Sequence, residues 1–515
     1  MGSIDNRKHI IVHAIPVAWG HNKPLCAFVV NVLEAQPNAI VTYLTSSDAY
    51  GKLVAEFGRL DPARYAALEP RLHIIDIAGP SVETFEPINA FEPSFEALYS
   101  SSSITCLSSK RTISGLPAPT LAIIDPFAGY AFEFIRKIAG QTFTIFAWWT
   151  SNAGALLRLL GPAHLGGVVE PSLETVGGRM ATKKRIFAKE KIKWHDCIGT
   201  VVNVAGLKPS YDYEWFPQKS AMTDLAAVAE KLGSIYIREA DGVVCVSTNA
   251  YEPEAAAAAK EWFVSMGKAW YTVGPLSIFA PSVKSSKPAA PVSETDIRVK
   301  AFLDRIEEEF GDKSLLYISF GTVWWPEEDD RVWAVIDGLL EKRQPFLFSH
   351  PSPFVRLPNE VKEKIAASGI AMELSWSPQE MILTHPVTGW FLTHGGWNSV
   401  QEAFAFRVPM IFWPFHADQP YNAMRLMTLK AGFELIEVRT GTIGARIPYD
   451  CEQLPAFTPN SAKAEVMSLI GKLNGKEGVE VRQNFETVAE GVCKAWENPS
   501  GESRLNTKAM LDQYL

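Results

Sequence analysis

The sequence predicts an α/β protein made of two doubly wound, parallel-sheet domains in tandem. Three observations carry that expectation. The chain has 515 residues, and a single hydrophobic core stops growing at about 250–300 residues, so two units of similar size are expected. Short runs rich in Val, Ile, Leu and Phe alternate with longer helical patterns from end to end, which is how parallel strands with crossover helices read. Between them, SIFAPSVKSSKPAAPVSETD is rich in Pro, Ser and Ala and has no apolar period, the composition of an exposed linker.

In chain order, the strand candidates of the first half are HIIVHAI, AIVTYLT, RLHIIDI, TLAIID, FTIFAWW and DGVVCVST. Those of the second half are LLYISF, PFLFS, AMELSW, TGWFLTH, PMIFWP and FELIEV. Each is nearly continuous in apolar residues, as strands buried on both faces are. The first domain is placed at 1–275, the linker at 276–296 with a helix beginning near Asp296, the second domain at 297–490 and a closing segment at 491–515. The chain reads as helical from about Val479. Ligands of such sheets bind outside the carboxyl ends of the strands, so two facing sheets put the site in the cleft between them.

Composition excludes several classes. A formal charge of −8 gives no support for nucleic-acid binding. Six cysteines are too few for a disulfide scaffold and none forms a C-x-x-C pair, which fits a reducing, cytoplasmic setting. Arg7-Lys8 before IIVHAIPVA mimics a short signal peptide, but His13 and Pro16 interrupt the apolar run, so a first buried strand is the better reading. Asn6 stands where myristoylation needs Ser or Thr. The apolar stretch Phe143 to Leu160 is broken by Thr150, Ser151, Asn152 and Arg158, so no membrane insertion is expected.

The densest chemical pattern is WSPQEMILTHPVTGWFLTHGGWNSVQEAFAFRVPMIFWPFHADQ, 44 residues from Trp376 to Gln419. A strand ends at His394 and the Gly395-Gly396 turn leads directly into a helix. Glycines let a ligand approach the backbone, and the unpaired N–H groups and dipole of a helix start favour an anion. His394, Asn398 and Ser399 add side-chain donors for phosphate oxygens. Glu402, four residues after Asn398, lies on the same helical face and can accept sugar hydroxyls. Trp376 offers a ring on which a base can stack, and Asp418-Gln419 can serve vicinal hydroxyls.

This segment resembles the donor-binding signature of the family 1 UDP-glycosyltransferases in its plant form. It keeps the W-x-P-Q, H-P, F-L-T-H-x-G-W-N-S, P-M-I-x-W-P and D-Q landmarks, with Gly395 where plant members typically carry Cys. The resemblance implies the two facing Rossmann-like domains called GT-B, with the acceptor in the first and the UDP-sugar in the second. It implies that Trp376 stacks on uracil and that Gln379 and Glu402 lie near the ribose. His394, Asn398 and Ser399 would hold the diphosphate, Trp397 the sugar through its backbone, and Asp418 and Gln419 the sugar hydroxyls. A terminal Gln is associated with glucose. LLYISFGT resembles the loop opening the second domain, with Ser319 and Thr322 near the diphosphate. IIVHAIPVAWGHNKP places His21 as the catalytic histidine, TLAIID ends at its partner Asp125, and FAWWTSNA places Thr150 near the sugar O6. GESRLNTKAMLDQYL resembles the closing helix, which crosses back onto the first domain.

The implied chemistry is consistent with the residues. An acceptor hydroxyl needs a base within hydrogen-bond reach. The unperturbed pKa of His21, about 6.5, suits that task. Asp125 on the other ring nitrogen would fix the tautomer and stabilise the imidazolium. Attack opposite UDP inverts an α-linked donor to a β-glycoside through an oxocarbenium-like transition state, and the helix-terminal donors stabilise the departing diphosphate. No metal and no cofactor beyond the UDP-glucose (or other UDP-sugar) co-substrate is expected, and the partners are that donor and a small acceptor of a monomeric enzyme. Trp19, Trp148, Trp149 and Trp324, near the expected cleft, favour an aromatic or lipophilic acceptor.

Plainer readings compete with these. His21 alone reads as a helix cap, and only Asp125 with the signature makes it catalytic. His13 and His385 read as structural. The acidic run Glu327 to Asp330 follows Pro326, as a helix first turn does, and is preferred as that over a metal site. Trp194-His195-Asp196-Cys197 is read as structural or as part of an acceptor loop. The seven basic residues between Arg179 and Lys193 read as a solvated face, yet they keep open a sterol or lipid glycosyltransferase of the same fold. A non-catalytic UDP-sugar binding protein is the other alternative, although a binder needs neither His21 nor Asp125. A nicotinamide oxidoreductase lacks its G-x-G-x-x-G after a first strand.

Overall fold

The computed structural model describes residues 6–80, 88–167, 197–219, 239–276 and 293–515. Seven parallel strands form the first sheet: β1 (Lys8–His13), β2 (Ala39–Thr45), β3 (Leu72–Asp76), β4 (Pro119–Ile124), β5 (Thr144–Trp149), β6 (Gly242–Cys245) and β7 (Ala269–Thr272). Their spatial order is β7-β6-β5-β4-β1-β2-β3. Six more form the second: β8 (Leu315–Ser319), β9 (Phe346–Ser349), β10 (Ala371–Leu374), β11 (Thr388–Thr393), β12 (Met410–Phe412) and β13 (Gly432–Glu434), in the order β10-β9-β8-β11-β12-β13. Both sheets are doubly wound, as expected. All twelve strand candidates are strands. The thirteenth, β7, is a four-residue edge strand with alternating burial.

Strand order reverses between β1 and β4 in the first sheet and between β8 and β11 in the second. A crevice opens at the carboxyl ends of such strand pairs. The residues following those ends are the loop into His21 and Asp125 on one side, and the Ser319 and His394 loops on the other. The fold therefore brings the two candidate half-sites to corresponding positions of two sheets.

The helix after the linker starts at Glu294, two residues before the expected Asp296. Ser293 caps it: the Asp296 N–H donates to Ser293 Oγ at 3.0 Å and the Ser293 N–H to Asp296 Oδ2 at 3.0 Å. The acidic run enters a helix that begins at Asp330 rather than at Pro326. Its charges are matched: Glu327 pairs with Lys219, and Arg331 with Glu328 and Asp330. The last helix, Glu502–Tyr514, lies against the β7 edge of the first sheet. Asn506 Nδ2 donates to the Thr272 carbonyl at 3.0 Å and the Tyr514 ring meets Phe146 at 4.9 Å.

The cores are dense in aromatics. Phe28, Phe91, Phe95, Phe132 and Trp148 are fully buried in the first sheet's core, and Phe320, Phe348, Trp413 and Phe415 in the second's. Each such Phe contributes about 1.5–3 kcal/mol. Among the described residues, no helix is long and apolar enough to cross a membrane.

Candidate active site

His21 sits in the first turn of the helix Trp19–Ala35, which follows β1, and Asp125 directly follows β4. His21 Nδ1 donates to Asp125 Oδ2 at 2.7 Å. Asp125 is fully buried, and its carboxylate also receives the Phe127 N–H at 2.9 Å, so it cannot swing away. The His21 side chain keeps 23% exposure, enough for Nε2 to meet a substrate. Burial alone would lower the His21 pKa. The Asp125 charge and hydrogen bond, with the field of Asp418, outweigh it and raise the pKa above 6.5.

The helix itself is held in place by residues that sequence reasoning passed over. The buried Asn22 donates to the Ile15 and Ala18 carbonyls at 2.9 and 2.8 Å and receives the Tyr43 hydroxyl at 2.9 Å. Pro24, inside the helix, has no N–H to give to the Gly20 carbonyl. That carbonyl instead accepts from Asn398 Nδ2 of the second domain at 2.8 Å.

Opposite lies the helix Trp397–Phe406. Its N-cap is Gly396, which has no side chain to cap the first N–H groups. The Trp397 N–H donates to Asp418 Oδ2 at 2.8 Å, and the Ser151 hydroxyl of the first domain donates to the same oxygen at 3.1 Å. Ser399 is buried beside this helix start. The His394 ring lies between the backbones of Gly321 and Gly396. A Cβ on either glycine would approach that ring to 3.0 and 2.5 Å, and Gly321 has φ +73°. Burial pushes His394 down to about 4, against a backbone hydrogen bond with Ser319 that raises it. His394 is therefore neutral near pH 7 and offers an N–H, not a charge. Ser319 is buried at the end of β8, while Thr322 is exposed two residues beyond Phe320.

Trp376 is 59% exposed, unusual for so large a ring, and leaves a face open for stacking. Gln379 and Glu402 are joined: Gln379 Nε2 donates to Glu402 Oε2 at 2.6 Å, and the Tyr317 hydroxyl donates to Gln379 Oε1 at 3.1 Å. Thr150 is partly buried beside Ser151.

The structure therefore gathers His21, Asp125, Thr150, Trp397, Asn398, Ser399, Glu402 and Asp418 around one interdomain seam, with Ser319 and His394 on the adjoining loops. Several of the expected site residues are turned inward. Gln419 is 1% exposed and its Oε1 is turned inward to the Phe415 and His416 N–H groups at 2.9 and 3.3 Å, so in this state it is a loop brace. Trp148 is wholly buried against Phe28, ring centroids 5.3 Å apart, and donates Nε1–H to the His21 carbonyl at 3.2 Å. It braces the His21 backbone from behind and has no exposed surface. Trp149 and Trp324 are also largely buried, the latter beside His416, whereas Trp19 is partly exposed. His13 is a satisfied core residue, bonded to the Leu44 carbonyl and the Tyr130 hydroxyl. His385 meets Asp304 at 3.2 Å on the far side of the second domain. The basic run 179–193 and residues 194–196 lie outside the described residues.

Ser151 and Asn152 were not anticipated, and Asn422 was expected only as the end of DQPYNA, which continues the signature. Asn152 Nδ2 donates to Asn422 Oδ1 at 2.8 Å, and Asn422 Nδ2 donates to the Gly395 carbonyl at 2.8 Å, tying the first domain to the glycine turn. Their presence in TSNA and DQPYNA was the available signal.

Two facing doubly wound parallel sheets are the layout of the GT-B glycosyltransferases. The profile described as "UDP-glucoronosyl and UDP-glucosyl transferase" matches residues 292–443, which contain the whole second sheet. UDP-glycosyltransferase eriJ of Hericium erinaceus is 28% identical over 99% of both chains. Anthocyanidin 3-O-glucosyltransferase 1 of Fragaria ananassa is 24% identical over 98% of this chain and 97% of its own. The fold is shared with UGT71G1 of Medicago truncatula, at TM-score 0.68 and 20% identity over the full length of both chains. Residues 292–443 thus match the UDP-glycosyltransferase profile, the chain is similar to UDP-glycosyltransferases over nearly its whole length, and it is a glycosyltransferase enzyme.

Proposed function

We propose that this enzyme transfers glucose from UDP-α-glucose to a hydroxyl of a small aromatic or lipophilic acceptor with inversion, His21 acting as general base. The observation that carries the reading is the 2.7 Å bond from His21 Nδ1 to the buried Asp125. With Nδ1–H committed to Asp125, the lone pair is on Nε2, and Nε2 takes the acceptor proton as the oxygen attacks the anomeric carbon. The C1–O bond to UDP breaks on the opposite face, which gives a β-glycoside. Charge arriving on the diphosphate meets the N–H groups at the start of the helix Trp397–Phe406, with Ser319, Thr322, Asn398, Ser399 and neutral His394 as further donors.

Trp376 takes the uracil on its exposed face, Gln379 and Glu402 take the ribose, and Asp418, Thr150 and the Trp397 backbone take the hexose. Gln419 reaches the sugar only after leaving its backbone partners. The similarity to anthocyanidin 3-O-glucosyltransferase 1 of Fragaria ananassa supports glucose and an aromatic acceptor. No step requires a metal. The test is UDP release from UDP-glucose over a phenolic acceptor panel with EDTA present, for the wild type and His21→Ala. Metal-free turnover lost in the variant is expected. Turnover abolished by EDTA, or retained by His21→Ala, contradicts the reading.

A further inference from the structure

The helix that bears His21 is gripped by the donor-site helix at two points, one on each side of the histidine. Before it, the Gly20 carbonyl accepts from Asn398 Nδ2 at 2.8 Å. After it, Lys23 Nζ donates to Glu402 Oε1 at 2.8 Å. Asn398 and Glu402 are four residues apart, on one face of the helix Trp397–Phe406.

Lys23 is not an ordinary surface cation. Its side chain is 15% exposed and Glu402's 7%. It also pairs with Glu380 at 3.1 Å, whose other oxygen meets Arg59 at 2.5 Å, and Arg59 returns to Glu56 at 3.2 Å. The charges alternate from Glu56 to Glu402 and cross from the first domain to the second and back. Burial would depress the Lys23 ammonium, but the Glu402 and Glu380 carboxylates outweigh it and raise its pKa, so it stays charged. Glu402 uses one oxygen for Lys23 and the other for Gln379 Nε2. A carboxylate has about four lone-pair sites, so each oxygen can still accept a ribose hydroxyl.

We propose that Lys23 is the positioning residue that registers His21 over the donor, by coupling the helix of the base to the ribose-binding carboxylate Glu402. This rests on the reading of Glu402 as a ribose contact. Lys23 touches neither the acceptor nor the reacting carbon. It sets where the first turn of the base's helix stands relative to a bound UDP-sugar, and a small misplacement of a catalytic group costs rate rather than fold.

A double-mutant cycle tests the coupling, with Lys23→Met, Glu402→Gln and the double variant compared for kcat with UDP-glucose and a phenolic acceptor. Affinity for UDP alone is measured in parallel by calorimetry. Lys23→Met is expected to lower kcat about 10-fold in the wild-type background and by less than about twofold in the Glu402→Gln background. Lys23→Arg should recover most of the loss, and Lys23→Gln replaces the Met variant if that one folds poorly. An equal loss in both backgrounds, or no loss with Lys23→Met, overturns the proposal. If Glu402→Gln leaves UDP affinity unchanged, the ribose reading fails and the Lys23 role falls with it. If instead UDP affinity drops but the cycle shows no coupling, only the Lys23 role is lost.

Discussion

Asp418 and Ser151 face each other across the domain boundary, 3.1 Å from hydroxyl to carboxylate, and the same Asp418 oxygen receives the first N–H of the donor-site helix. One carboxylate thus serves as cap, interdomain tie and candidate sugar ligand. Replacing it by Ala should destabilise the protein by about 1.5–3 kcal/mol, the cost of losing bonds to a charged acceptor, and should also raise the KM for UDP-sugar. Ser151→Ala, which removes only the tie, should lower the melting temperature less and leave the helix start capped. Thermal melts of the two variants side by side check this.

His21→Ala should reduce kcat by about 10²–10⁴-fold, the usual contribution of a positioned base. Because the His21 pKa is raised, the acid limb of kcat/KM should lie above 6.5. Asp125→Asn removes the main cause of the rise, so the limb should move to lower pH while the maximal rate falls. Stability runs the other way. The raised pKa means the pair stabilises the fold fully below about 6.5 and loses that contribution as pH rises through the folded value. Rate profiles and melts over the same pH range should therefore slope in opposite directions.

His394 titrates in the other direction. With its pKa near 4, the ring is neutral across the working range, and donor affinity should show no step from it between pH 6 and 8. Its unfolded pKa of about 6.5 is higher, so the folded state should lose up to roughly 3 kcal/mol as pH falls from about 6.5 towards 4. NMR titration of the ring resonances is the check. A His394 signal moving with a midpoint above 6 would contradict the buried, neutral ring.

Trp376→Ala should weaken UDP-sugar binding by about 1–3 kcal/mol, the worth of one stacked base. The ring is largely exposed, so the melting temperature should hardly change. Calorimetry with UDP together with a thermal melt distinguishes lost stacking from lost structure.

Most of the fold was legible because both sheets are sandwiched between helices, so twelve of their strands are continuous apolar words such as AIVTYLT and TGWFLTH. The edge strand Ala269–Thr272 was not anticipated; it has only four residues and is alternately buried and half-buried. The site was legible where chemistry dictates residue type: glycines before a helix start, a histidine and an aspartate after separate strands. What was hidden was which atoms are already spoken for. Nothing local shows that Gln419 bends back to Phe415, that Trp148 sinks behind His21, or that Lys23 reaches Glu402 across 379 positions of chain. The first two depend on how loops and rings pack within a domain, the last on how two separately patterned domains meet, and such packing has no periodicity to read.

Pro24 gives that seam a further meaning. By withholding an N–H from the Gly20 carbonyl, it leaves the first turn of the base-bearing helix unfinished as local structure, and the missing bond is supplied by Asn398. The helix start is thus complete only after long-range assembly. A nascent chain that has made only its first half would carry both residues of the His–Asp pair, but with His21 on a frayed helix end. The alignment of His21 would then be completed by the C-terminal half, the same half that carries the residues proposed to hold the UDP-sugar.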